Sequence, residues 1–273
     1  MTLIITAIAD DAVVQVSDRR LTRADGSICS DNACKAICMT CLDAHVSLAY
    51  TGLARIGPIS TDHWLVEMLI EIRASSKRFP EVVDSLAAAA TERFRHLREL
   101  GDWRRLSLVF GGFGPSGAMA ALVSNQEDSS GRELSTVSDM FNTGFWLRND
   151  RRMYKLDLML SGATAAVGPE LIESIKRIRK RFLHQSPEDR IRVLLQILRR
   201  AAKHPKYGGL IGEDCMGTIV WLDGGFRTTY HPTEDTALSY MPHFVGVGLS
   251  ARDIWISTNE TARPPEAPPH NKP

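Results

Sequence analysis

The sequence has no apolar run approaching the roughly twenty residues that a membrane-spanning helix needs. It has almost no charge excess: 33 Lys and Arg against 32 Asp and Glu leave +1, so no whole-chain field draws it to nucleic acid or to a membrane surface. Nor does it open as a secretory signal. Met1-Thr2-Leu3-Ile4-Ile5-Thr6 carries no positive residue ahead of its apolar stretch and soon meets Asp10 and Asp11. A cytoplasmic location is the expectation. Cysteines are few and odd in number: Cys29, Cys34, Cys38, Cys41 and Cys215. That argues against a disulfide framework. Four of them follow C-x4-C-x3-C-x2-C, which lacks the paired knuckles of zinc ribbons. A strand over this stretch would also send Cys34 and Cys38 to one face and Cys41 to the other, so buried free thiols are expected and no metal site. Gly111-Gly112-Phe113-Gly114 lacks the lysine and helix of a phosphate loop, and no cofactor is expected. The histidines are scattered without helical metal spacing, and His63 and His243 read as structural. The basic run Lys176, Arg177, Arg179, Lys180, Arg181 reads as a solvated helix face.

What is present is a repeated alternation of strands and helices. Leu3–Ala9 is apolar and β-branched, Asp10-Asp11 signals a turn, and Ala12–Asp18 alternates. A polar loop from Arg19 to Asn32 leads to strands at Lys35–Thr40 and Val46–Thr51. Two helices follow. Thr61–Ser75 sets Trp64, Leu65, Met68, Leu69 and Ile72 at helical spacing, and Pro80–Leu100 opens with a favoured Pro-Glu first turn. Strands return at Leu106–Gly111 and Ala118–Ser124, with weaker ones near Leu134–Asn142 and Tyr154–Leu160. A second helical pair starts at Gly168-Pro169-Glu170 and at Ser186-Pro187-Glu188-Asp189. Closing strands are expected at Gly217–Leu222, Phe226–Tyr230, Phe244–Gly248 and Asp253–Ser257. Hairpin-length connections imply largely antiparallel sheets. The expected fold class is α+β: two sheets between two helical layers, a four-layer αββα sandwich. No Gly- or Pro-rich linker divides the chain, so residues 1–258 are expected to form one domain, with 259–273 a Pro-rich disordered tail.

The chemistry gathers at the N-terminus. Removal of Met1 would leave Thr2 with a free α-amine and a hydroxyl on one residue. An amine of ordinary pKa about 7.7–8.0 can take the hydroxyl proton while Oγ attacks a carbonyl, so no separate histidine is needed. Asp18 can be brought near by the first hairpin in one of two registers. A three-residue loop pairs Thr2 with Asp18 and puts both on the face of Ile4 and Ile8. A two-residue turn pairs Leu3 with Asp18 and turns Thr2 to the opposite face. Asp-Asp suits the two-residue turn poorly, which favours the first register.

The run T-L-I-I-T-A-I-A-D-D-A-V-V-Q-V-S-D-R-R is similar to the opening of proteasome β-subunit-like N-terminal nucleophile hydrolases, including their bacterial branch. D-N-A-C-K-A-I at Asp31–Ile37 resembles the family segment that carries a lysine on the third strand, and L-A-Y-T-G-L-A at Leu48–Ala54 resembles the strand end with the oxyanion-hole glycine. The resemblance implies that Thr2 is the nucleophile and its amine the base. Lys35 would be a nearby cation that eases hydroxyl deprotonation, Asp18 would orient Lys35, and the Gly52 N–H would serve the oxyanion. It also points to Asp214 as the late-strand partner near the amine and to Ser161, with Gly162, as the family's serine–glycine turn. With no propeptide before Met1-Thr2, an aminopeptidase alone would expose the nucleophile. The implied activity is hydrolysis of a peptide or amide substrate through an acyl-enzyme, by a homo-oligomer. The alternative is a catalytically silent subunit of the same fold.

Overall fold

Strand β1 (Leu3–Ile8) runs antiparallel to β2 (Ala12–Asp18), and every residue of both is buried. The register pairs Ile8 with Val13 and Ile4 with Ser17, which sets Leu3 opposite Asp18. This is the two-residue-turn register, not the three-residue loop that Asp10-Asp11 favoured. The turn escapes the demand for left-handed residues, because neither aspartate has a positive φ. Contacts from elsewhere hold it instead: Arg190 pairs with the Asp11 carboxylate at 2.8 Å, and the Leu222 N–H donates to the Asp11 carbonyl at 3.3 Å.

The computed structural model describes residues 2–22, 27–31, 33–56, 58–147, 158–168, 182, 184–205, 208–233, 243–246 and 254–257. After the first hairpin come β3 (Leu21–Thr22), β4 (Ile28–Ser30), β5 (Ala36–Thr40), β6 (His45–Gly52), β7 (Arg55–Ile56) and β8 (Ile59–Ser60). Helices α1 (Thr61–Glu71) and α2 (Phe79–Arg95) precede β9 (Leu106–Gly114), β10 (Gly117–Ser124), β11 (Asn142–Leu147) and β12 (Leu158–Gly162). Helix α3 (Pro187–Ala202) leads to β13 (Cys215–Trp221), β14 (Phe226–His231), β15 (His243–Val245) and β16 (Ile254–Ser257). Two six-stranded sheets result, ordered β12-β1-β2-β13-β14-β16 and β11-β10-β9-β6-β5-β15. All pairings within them are antiparallel except at one edge of each, where β16 joins β14 and β15 joins β5 in parallel.

The first sheet buries two apolar faces, which is why its central strands read as continuous hydrophobic runs. Leu3, Ile5, Val14 and Val16 pack against Ile191, Leu194 and Leu198 of α3. The other face meets the second sheet, through Ile8, Val13, Cys38, Phe113 and Val220 and through Ile4, Ala49, Val109 and Leu122. The far side of the second sheet carries α1 and α2, with Trp64, Leu65, Val83, Leu86 and Phe94 over Leu48 and Phe110. Ser186 caps α3 by accepting from the Asp189 N–H at 3.1 Å, with Pro187 in the first turn, as its sequence implied.

Several boundaries moved. Helix α1 stops short of Ser75 because Arg73 is left-handed (φ 53°) and a 3₁₀ turn follows. Helix α2 stops at Arg95, and residues 98–104 form 3₁₀ turns broken by Gly101 at φ 53°. The strand expected near Leu134–Asn142 begins instead at Asn142, and the polar loop after Asp18 contains β3 and β4. Most of the helix expected from Gly168 to about Leu183 (residues 169–181 and 183), its basic run and the tail 259–273 fall outside the described residues. All five cysteines are free; Cys38 lies between the sheets and Cys41 under the α1–α2 layer.

Candidate active site

Thr2 precedes β1 and is 3% exposed. Its carbonyl accepts from the Ala163 N–H at 2.9 Å and from Thr51 Oγ1 at 3.0 Å, while its own nitrogen donates to Thr51 Oγ1 at 3.1 Å. Gly162 makes this docking possible. It sits at φ +87°, and a Cβ there would lie 2.0 Å from the Thr2 carbonyl oxygen. Gly162→Ala is therefore expected to lower stability by about 2 kcal/mol or more. Gly209→Ala, where an added Cβ meets nothing within 4 Å, is expected to change little. Urea unfolding of the two variants side by side checks this.

Lys35 ends the segment before β5, and its fully buried side chain crosses from the second sheet to the first. Its Nζ donates to Thr2 Oγ1, donates to the Arg20 carbonyl at 2.6 Å, and lies 3.6 Å from Asp18 Oδ2. Burial pulls the Lys35 ammonium below the usual lysine range, and the Asp18 carboxylate only partly restores it. Asp18 is tied down by three backbone donors: Leu3 N–H on Oδ1 at 3.1 Å, and Arg20 and Gly212 N–H on Oδ2 at 3.0 and 3.1 Å. Thr2, Asp18 and Lys35 thus come together although the hairpin has the unfavoured register. The lysine makes the link, so Thr2 and Asp18 need not share a face of the sheet.

Gly52 ends β6 at φ +110°, and a Cβ there would lie 2.1 Å from the Arg105 carbonyl oxygen. Leu53 N–H donates to Arg105 O at 2.7 Å, which leaves Gly52 at a non-hydrogen-bonded position toward β9. Its N–H faces the other way. A cavity of about 740 Å³ opens beside it, walled by Leu53, Leu100 and Trp103 with Arg55 and Arg105 among its charged groups. That is ample for a short peptide segment.

The contacts of Ser161 and Asp214 point elsewhere. Ser161 pairs with Ile4, and its Oγ donates to Glu127 Oε1 at 2.7 Å. The Asp214 carboxylate accepts from Tyr230 at 3.2 Å and from the Thr233 backbone and hydroxyl at 2.8 and 2.7 Å. Only its backbone reaches the site, its carbonyl accepting from the Arg19 N–H at 3.0 Å. Sequence reasoning missed Thr51 and the buried Glu127. Thr51 had a signal, since it directly precedes the singled-out Gly52. Glu127 had none, because its partners Ser107 and Ser161 lie on distant strands.

Burial pushes the Glu127 carboxyl up, and the Ser161 and Ser107 hydroxyls only partly offset it. A folded-state pKa above the unfolded one gives stability that is present at low pH and lost as pH rises through the folded value. The window opens near 4.5. Glu127 Oε2 has no hydrogen-bond partner among the described residues, so Glu127→Gln fits the same space. The variant is expected to lose this part of the pH dependence, read as urea midpoints between about pH 4 and pH 8.

The fold that these sheets and helices build is a proteasome-like one, of mixed α+β class. The chain is similar to Anbu (Gly-1) mutant from Hyphomicrobium sp. strain MC1, at 11% identity and a TM-score of 0.54, over 81% of this chain and 82% of that one. It is equally similar to Anbu (ancestral beta-subunit) from Yersinia bercovieri, at 11% identity and a TM-score of 0.53, over 80% of each chain. No family model matches the sequence, and no curated protein matches it.

Proposed function

We propose that the protein is a threonine-nucleophile amidohydrolase, a peptidase, that acts through an acyl-enzyme on Thr2 once Met1 is removed. The observation that carries this reading is the buried Lys35 Nζ donating to Thr2 Oγ1 with the Asp18 carboxylate 3.6 Å behind it. A cation against a hydroxyl lowers the cost of the alkoxide, and nothing about strand packing calls for a fully buried lysine there.

In this mechanism Oγ attacks the substrate carbonyl and its proton passes to the free α-amine of Thr2. The oxyanion takes the Gly52 N–H. The leaving amine takes the proton from the α-ammonium as the C–N bond breaks, leaving an ester on Thr2. Water attacks that ester with the α-amine as base, which releases the acid and restores the hydroxyl. Thr51 Oγ1 orients the amine. Ser161, through Glu127, holds the strand that carries Gly162 against Thr2, and Asp214 positions Arg19 through its carbonyl. These two are positioning residues.

The same reading includes a single domain over residues 1–258, a four-layer αββα sandwich, the bacterial proteasome-like branch, a cytoplasmic setting and a homo-oligomer. The beta-subunit likeness supports the last of these. No helix among the described residues is long and apolar enough to cross a membrane.

Intact mass tests the proposal. The purified protein is expected to lack Met1 and to gain the mass of one peptide β-lactone, which adds to a hydroxyl by ring opening. Peptide mapping is expected to find the ester on Thr2. Retained Met1 leaves an amide nitrogen where the base is required, and would support the silent-subunit alternative.

A further inference from the structure

Helix α1 and the edge strand β15 bring together three metal-ligating side chains far from one another in sequence. Asp62 and His63 stand in the first turn of α1, and His243 opens β15, which lies along β5 with His243 opposite Ile37. Asp62 Oδ2 is 3.1 Å from His243 Nε2. One ligand atom from each of Asp62, His63 and His243 lies within 4.8 Å of the others, and the two imidazole rings are 5.5 Å apart. Asp62 and His243 are part-buried while His63 is exposed, so the group has one side toward solvent.

We propose that Asp62, His63 and His243 form a binding site for a divalent transition-metal ion of the zinc class, with water completing the shell. Two imidazole nitrogens and one carboxylate oxygen suit Zn²⁺, Co²⁺ or Ni²⁺, whereas Mg²⁺ and Ca²⁺ favour all-oxygen shells. Bonds of about 2.0–2.1 Å in a tetrahedron set ligand atoms roughly 3.3 Å apart. The Asp62–His243 pair already has that spacing, and a rotamer adjustment of the exposed His63 supplies the third ligand. The positive end of α1 opposes a cation, and the Asp62 carboxylate in its first turn offsets that. The Cys34 thiol donates to the Ala36 carbonyl at 3.7 Å and is not among the ligand atoms gathered here, so it stays outside the shell. A bound ion would tie β15 to α1 at the edge where β5 begins, directly after Lys35.

The test is titration of the metal-stripped full chain with Co²⁺, followed by visible absorption, with Zn²⁺ competing in calorimetry. One ion per chain is expected, with ligand-field bands and a Zn²⁺-dependent rise in Tm. Loss of a single outer-sphere partner typically weakens such sites 10–100-fold, so His63→Ala and His243→Ala are each expected to weaken binding by about 100-fold or more. His63 is exposed, so that variant keeps its core, and circular dichroism confirms its folding. Cys34→Ser is expected to bind as the parent does. Absence of binding to the parent chain overturns the proposal. So does unchanged binding to the His63→Ala/His243→Ala double variant, or loss of binding on Cys34→Ser.

Discussion

Thr2→Ala is expected to lower hydrolysis of an activated peptide amide by about a thousandfold or more, because it removes the atom that carries the acyl group in the proposed mechanism. The fold should survive. Thr2 Oγ1 is one of three groups around Lys35 Nζ, and the Arg20 carbonyl at 2.6 Å and the Asp18 carboxylate at 3.6 Å remain. The lost hydrogen bond is expected to change stability by about 1 kcal/mol. Thr2→Ser keeps the oxygen and the amine and is expected to keep measurable turnover. The check is single-turnover kinetics on all three proteins, with Met1 removal confirmed by mass in each. A Thr2→Ala protein as fast as its parent would place the chemistry elsewhere and leave the Lys35 contact as structure alone.

The largest stability effect is expected at Asp18. Its carboxylate is fully buried, and its loss strands three backbone N–H donors together with the Lys35 ammonium. Removing one member of a buried ion pair costs about 3–5 kcal/mol. For a chain of this size, that corresponds to a fall of about 10 °C in Tm. Asp18→Asn should fall between Asp18→Ala and the parent, since the amide keeps one acceptor but turns a donor toward donors. Asp31→Ala is the control. Asp31 also pairs with a cation, Arg20, at 2.6 Å, but it is 41% exposed and screened by water, so a change below about 1 kcal/mol is expected. Equal effects at Asp18 and Asp31 would mean that the buried clamp does not organise the N-terminus.

The parts of the site legible in sequence were those carried by local pattern. Thr2 before an apolar strand, Asp18 at the end of the next, Lys35 before the third and Gly52 at the end of the fourth are each marked by residue type and position. Their order carried the resemblance, and three of them, Thr2, Asp18 and Lys35, meet in the structure. The hairpin register was not legible, because it was decided by Arg190, a helix residue far along the chain that grips Asp11. Propensity at the turn gave way to a tertiary contact. Glu127 was invisible for a related reason. A carboxylate in a polar stretch reads as solvated, and only the approach of Ser107 and Ser161 shows that it is buried. His63 and His243 were likewise read singly, and no spacing rule connects residues that meet only through the parallel seating of β15 on β5.

The parallel seating of β15 and β16 sets the order in which the two sheets can be finished. One end of each sheet is laid down late: residues 243–245 cover β5 and residues 254–257 cover β14, while β11 and β12 form the other ends. During synthesis the hairpins built from β1, β2, β5, β6, β9 and β10 can pair early. Two rows of unpaired backbone groups, along β5 and β14, must wait until residues 243–257 have been made. A chain truncated before His243 would therefore expose both seams at once, and its characteristic failure would be self-association through raw strand edges rather than a local loss of order.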